Sequence, residues 1–95
     1  MYKYLNINLE YRKAYLSRKE LELTGKEFGI LHLLTSNPNR VFTYEQIYEA
    51  VWKEFYKDDK KKIVNHVWGL RKKLNETEYI ESVHDVGYRF YEKKE

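Results

Sequence analysis

Ninety-five residues, 42% of them hydrophobic, suit one compact domain with a modest core and leave no room for two. The absence of Cys excludes disulfides, thiolate metal sites and cysteine nucleophiles within the chain, and no apolar run approaches a membrane span. The formal net charge is only +3, yet seven Lys/Arg against two Asp fall between Lys57 and Lys73, so the positive charge is concentrated in one segment.

At the N-terminus, Leu5, Ile7, Leu9 and Tyr11 alternate with Asn6, Asn8, Glu10 and Arg12, the period-2 pattern of a strand with one buried face, and not the apolar block of a signal peptide. A second extended piece, Arg12 to Leu16, leads through Ser17-Arg18-Lys19 into Glu20 to Leu23, where Leu21 and Leu23 again alternate with glutamates. These pieces predict a small antiparallel meander covering one side of a helical core. Ten tyrosines suit such strands and rims, because the hydroxyl lets a large ring sit partly exposed.

Thr24-Gly25-Lys26-Glu27 fits a capping box, and Phe28, Ile30, Leu31, Leu33 and Leu34 carry a helix from there to Asn37-Pro38. His32, inside this helix, is expected at the edge of the core and not as a ligand. A second start signal, Thr43-Tyr44-Glu45-Gln46, follows Val41 and Phe42, with Phe42 placed as a hydrophobic staple. This second helix is expected to run to about Lys53, with Ile47, Ala50, Val51 and Tyr48 inward and Trp52 closing it. Asp58 and Asp59 are expected to cap the third helix, where the dipole is positive. Adjacent carboxylates of this kind are poorly placed for acid/base catalysis across a cleft.

The third helix, about residues 59–75, has Ile63, Val67, Leu70 and Leu74 at spacings of four, three and four, one narrow apolar stripe. On a wheel of about 100° per residue the opposite side holds Lys61, Asn65, Trp68, Gly69 and Lys72, with Lys62 and Lys73 beside them. A cationic, hydrogen-bonding face of this kind can enter a DNA major groove between two phosphate rows, and it equally describes a solvated lysine-rich surface helix. Beyond it, Tyr79 to Val83 and Tyr88 to Tyr91 predict a β-hairpin, with a turn through His84-Asp85-Val86-Gly87 in which Gly87 supplies a position for positive φ. A helix-turn-helix followed by a hairpin is the order of a winged helix.

In that order, the strings LTGKEFGILHLL, NPNRVFTYEQIYEAVW, VNHVWGLRKKL and SVHDVGYRF resemble the winged-helix effector domain of OmpR/PhoB-type response regulators, over residues 5–91. The resemblance implies an α+β fold with a four-stranded antiparallel N-terminal sheet, three helices and a C-terminal hairpin wing. The third helix would lie in the major groove of double-stranded DNA and the wing at the adjacent minor groove. Phosphate-contacting roles fall by resemblance on Trp52, Lys61, Lys62, His66, Trp68, Arg71 and Tyr88, and groove-reading roles on Asn65 and Gly69. Lys72, Ser82 and His84 complete the expected DNA-facing set. Gly69 stands where many relatives have Arg, which removes a bidentate contact to guanine. His84-Asp85 replaces the usual Arg-Gly pair of the wing and is a weaker minor-groove cation. Glu54, Phe55 and Tyr56 fall in the loop that in this family touches RNA polymerase, with Phe55 and Tyr56 as its exposed contacts. Two copies on direct half-sites are implied, as is a cytoplasmic location. The phosphorylated receiver domain of the family is absent from the 95 residues.

No H-E-x-x-H, nucleophile elbow or phosphate-cradling glycine loop accompanies the three histidines, so neither catalysis nor a cofactor or metal is expected. The narrow major groove of A-form RNA would not admit the basic helix, and the strands lack the RNA-recognition signature. A winged helix that binds only protein remains compatible with the fold.

Overall fold

Asn8 ends the first strand earlier than its alternation suggests. In the computed structural model, which describes residues 5–74 and 79–91, β1 (Leu5–Asn8), β2 (Lys13–Leu16) and β3 (Lys19–Leu21) form an antiparallel sheet in that order. The Asn8 side-chain oxygen accepts from the Tyr11 N–H at 2.9 Å, and Arg12 takes φ 55°, so residues 9–12 turn and leave Leu9 and Tyr11 exposed. Ser17 and Arg18, both at positive φ, then close a two-residue hairpin between Leu16 and Lys19. The segment makes three strands among the described residues, not four, because Glu22 and Leu23 leave the ladder to present Thr24 as a helix cap. Leu5 and Ala14 are the side chains it buries fully.

Both capping boxes form as their sequence predicts. At α1 (Gly25–Ser36) the Thr24 hydroxyl accepts from the Glu27 N–H at 3.2 Å and the Glu27 carboxylate accepts from the Thr24 N–H at 3.0 Å. At α2 (Tyr44–Trp52) the Thr43 and Gln46 pair repeats this with both bonds at 3.0 Å. Ile47 and Tyr48 form the buried face of α2, with Val51 and Trp52 half-buried; Ala50, expected inward, is exposed at the edge of a cleft between α1 and α2. Lys53 closes α2 in the left-handed region, φ 59°, donating its N–H to the Glu49 carbonyl at 3.1 Å.

The third helix, α3, spans Lys60–Lys73 with Leu74 as its C-cap, while Asn75 lies outside the described residues. Asp59 occupies the N-cap position without a side-chain capping bond; its carboxylate lies 3.8 Å from the Lys62 ammonium and its carbonyl accepts from the Lys62 N–H at 3.1 Å. Asp58 takes φ 63° in the turn before it, which directs the pair away from the capping geometry expected of them. Ile63, Val67, Leu70 and Leu74 are at most 1% exposed and meet Leu31, Leu34 and Ile47 in the core.

A second sheet completes the wing. Its order is β4-β6-β5, in which β5 (Ile80–Val83) and β6 (Gly87–Phe90) are the hairpin and β4 (Val41–Thr43), read from sequence only as the approach to the second helix, pairs with β6. Gly87 has no positive φ; Asp85, at φ 62°, makes that turn instead. The glycine is required by close approach, since a Cβ there would stand 1.9 Å from the Phe42 carbonyl oxygen across the β4–β6 pairing.

Candidate nucleic-acid interface

With one stripe of α3 buried, Lys61, Asn65, Trp68 and Lys72 project from the opposite side, all exposed. Trp68 is 62% exposed, and the Lys72 ammonium lies 4.6 Å from its ring centroid, a pairing that keeps the cation at the surface. Gly69 does not belong to this row. A side chain at 69 would start 2.8 Å from the Glu27 Oε2, because the position faces α1, so the open approach expected beside Asn65 is not on the groove side. Glu27 is itself buried: Oε1 accepts from the Thr24 N–H and, at 2.7 Å, from the Lys73 ammonium, which withdraws Lys73 from the outer face and ties α3 to α1.

The wing braces the other flank. Arg71 donates through Nη2 to the Ile80 carbonyl and the Ser82 hydroxyl, both at 2.8 Å, and its guanidinium lies 5.4 Å from the Tyr88 ring centroid. Arg71 and Ser82, expected to face DNA, thus hold the hairpin against α3 in these contacts. Tyr88 is buried, edge-on to Tyr44 at 5.8 Å, and the Lys60 ammonium lies 4.9 Å from the Tyr44 ring. Burial pushes the Tyr88 phenol pKa up, and Tyr44 adds to that while Arg71 opposes it, so the group remains an O–H donor. At the wing tip His84 Nε2 lies 3.1 Å from the Asp85 carboxylate, with the His84 side chain 94% exposed.

On the α1–α2 side, Trp52 stacks on Tyr48 with centroids 5.1 Å apart and planes within 5°, and His66 meets it edge-on at 5.2 Å. His66 Nδ1 is 2.7 Å from the Lys62 carbonyl, and the Lys26 ammonium is 5.4 Å from the Trp52 ring centroid. In the loop before α3, Phe55 is 84% exposed. Tyr56, expected beside it as a second exposed contact, is half-buried: its ring packs on Tyr48 at 5.6 Å and its N–H donates to Glu49 at 3.3 Å. Glu54 accepts from the Tyr48 hydroxyl at 3.2 Å.

Residues 18–90 match the family model described as transcriptional regulatory protein, C terminal. The chain belongs to this family. Over 88 residues it is 39% identical to the heme response regulator HssR of Staphylococcus aureus (strain NCTC 8325 / PS 47), covering 90% of this chain and 39% of that protein. The chain therefore spans well under half the length of the curated relatives it matches. Its fold matches the AdeR response-regulator DNA-binding domain, solved in complex with an intercistronic region, at TM-score 0.82 and 28% identity, with 98% of each chain covered. The Klebsiella pneumoniae RstA DNA-binding domain, in complex with the RstA box, matches at TM-score 0.89 over 98% of this chain and 96% of that one; at 21% identity it supports the fold alone.

Beside the expected site residues the structure places three side chains that sequence reasoning passed over. Lys60 and Tyr44 join Tyr88 beside the wing, and Lys26 joins Trp52 and His66 on the opposite flank. Lys60 was visible only as part of a lysine run. Lys26 gave no signal, because its capping box speaks for Thr24 and Glu27 alone. Among the described residues no helix is long and apolar enough to cross a membrane.

Proposed function

We propose that this domain binds double-stranded DNA sequence-specifically as the output domain of a two-component-type transcription regulator. One observation carries the proposal: α3 buries Ile63, Val67, Leu70 and Leu74 and turns Lys61, Asn65, Trp68 and Lys72 outward. A major groove about 12 Å wide admits such a helix, and its two phosphate rows attract cations on both flanks. Lys61, Lys62 and Lys72 contact phosphates, and Asn65 reads a base edge. The hairpin lies at the neighbouring minor groove, presenting His84, with Arg71, Ser82 and Tyr88 fixing its angle to α3. The AdeR likeness, above the level at which fold alone is shared, supports this assignment.

Two copies bind head to tail on direct half-sites about 10 to 11 base pairs apart, one helical turn. Phe55, the most exposed large apolar side chain of the described residues, supplies the contact to RNA polymerase, and Glu54 and Tyr56 hold its loop in place. Selection of sites from random duplex DNA tests the function directly. Enrichment of a short repeated element is expected; recovery of no sequence preference, together with equal binding of duplex RNA, would refute it.

A further inference from the structure

Two large apolar side chains of α3 lie outside the core. Trp68 is 62% exposed and Val64 36%, and neither belongs to the core cluster or to the side chains packed against it. Four residues apart on one helix, they are neighbours. On a wheel of about 100° per residue they fall within about 40° of one another, directly beside the row of Lys61, Asn65 and Lys72. We propose that Val64 and Trp68 read the C5-methyl groups of thymines in the major groove, an inference that rests on the DNA-binding function above. Trp68, assigned to phosphate by resemblance, is then a specificity residue, and Val64 joins it.

An A·T pair presents to the major groove the adenine N7 and N6, the thymine O4 and a methyl group, and no other base carries that methyl. Asn65 matches the polar edge, and the adjoining pair of Val64 and Trp68 supplies the apolar surface that the methyl needs. Valine has no hydrogen-bond donor in its side chain, so on a groove-facing flank its gain comes from removing carbon from water. The Lys72 ammonium lies over the Trp68 ring, 4.6 Å from its centroid, which occupies one face of the indole and leaves the other face and the edge for a base. Lys61 and Lys72 border the apolar pair with positive charge, as a helix between phosphate rows requires. A helix rises about 1.5 Å per residue, so the two side chains start about 6 Å apart along the axis, against about 3.4 Å between base steps. They therefore meet different thymines.

The test replaces each thymine of a selected duplex by deoxyuridine, one position at a time, which removes the methyl and leaves base pairing intact. Affinity of the parent chain should fall about fourfold at each of two positions, the worth of one buried carbon. Val64→Ser should erase the loss at one of them and Trp68→Ser at the other; both side chains are exposed, so neither substitution threatens the fold. Lys61→Ala should weaken thymine and uracil duplexes by the same factor, as loss of a phosphate contact does. Indifference of the parent to uracil at every position, or uracil losses that persist undiminished in both variants, would overturn methyl reading while leaving DNA binding intact. Equal weakening of selected and random duplex by Trp68→Ser would overturn it as well, by placing the indole on the backbone. Failure of the parent to bind any duplex would remove both.

Discussion

Asn65 is the exposed side chain best suited to reading sequence. It stands between Lys61 and Trp68 on the outer side of α3, and its amide can donate to adenine N7 while accepting from N6. Asn65→Ala should cost about 1 to 3 kcal/mol on the preferred site, confined to one base position, with little change on random DNA. Single-base variants of the site measured with both proteins check this, and equal losses on every sequence would make Asn65 a positioning residue. Gly87 is a different kind of residue constraint. Its Cβ would meet a backbone carbonyl that cannot rotate aside, so Gly87→Ala should destabilise by about 1 to 3 kcal/mol in urea unfolding, the cost of overpacking. An unchanged midpoint would show that β4 gives way. The sequence marked this glycine as special but suggested the wrong cause, because positive φ is a local property and a cross-strand approach is not.

At the scale of elements, the helices were legible and the strands less so. Thr24 and Thr43 each stand three residues before their Glu or Gln partner, and the stripe of α3 repeats every turn, so each signal lies within a few residues of its effect. Three-residue β4 has no such pattern; only its pairing with β6, more than forty residues away, makes it a strand. Leu9 and Tyr11 continued an alternation that the Asn8 turn interrupts. Nor did the wheel of α3 reveal which flank meets α1, and so it grouped Gly69 and Lys73 with the outer face. The Glu27–Lys73 pair should consequently show a coupling of about 0.5 to 3 kcal/mol in a double-mutant cycle with Glu27→Gln and Lys73→Met, read by urea unfolding. Additive effects would mean that α3 is set against α1 by apolar packing alone. Its value should fall toward the lower end, since the Lys73 side chain keeps a third of its exposure.

For the whole molecule, burial raises the phenol pKa values of Tyr48, Tyr56 and Tyr88, most directly through loss of water. A group raised on folding stabilises fully below its unfolded value, about 10 for tyrosine, and that contribution is lost as pH climbs through the folded value. Unfolding midpoints should therefore hold steady up to about pH 10 with respect to these groups and fall above it, and a rise there would contradict the burial of the three rings. The proposed pairing of two copies on DNA is tested at the same scale: inserting five base pairs between the half-sites would turn the second copy to the opposite face and should abolish cooperative binding. The central claim, that the outer face of α3 lies between phosphate rows, is tested most directly by the slope of log affinity against log salt for the parent, Lys61→Ala and Lys62→Ala. Each variant should weaken specific and random duplex alike and reduce the slope by about one, whereas unchanged slopes in both would contradict the placement of α3 on DNA.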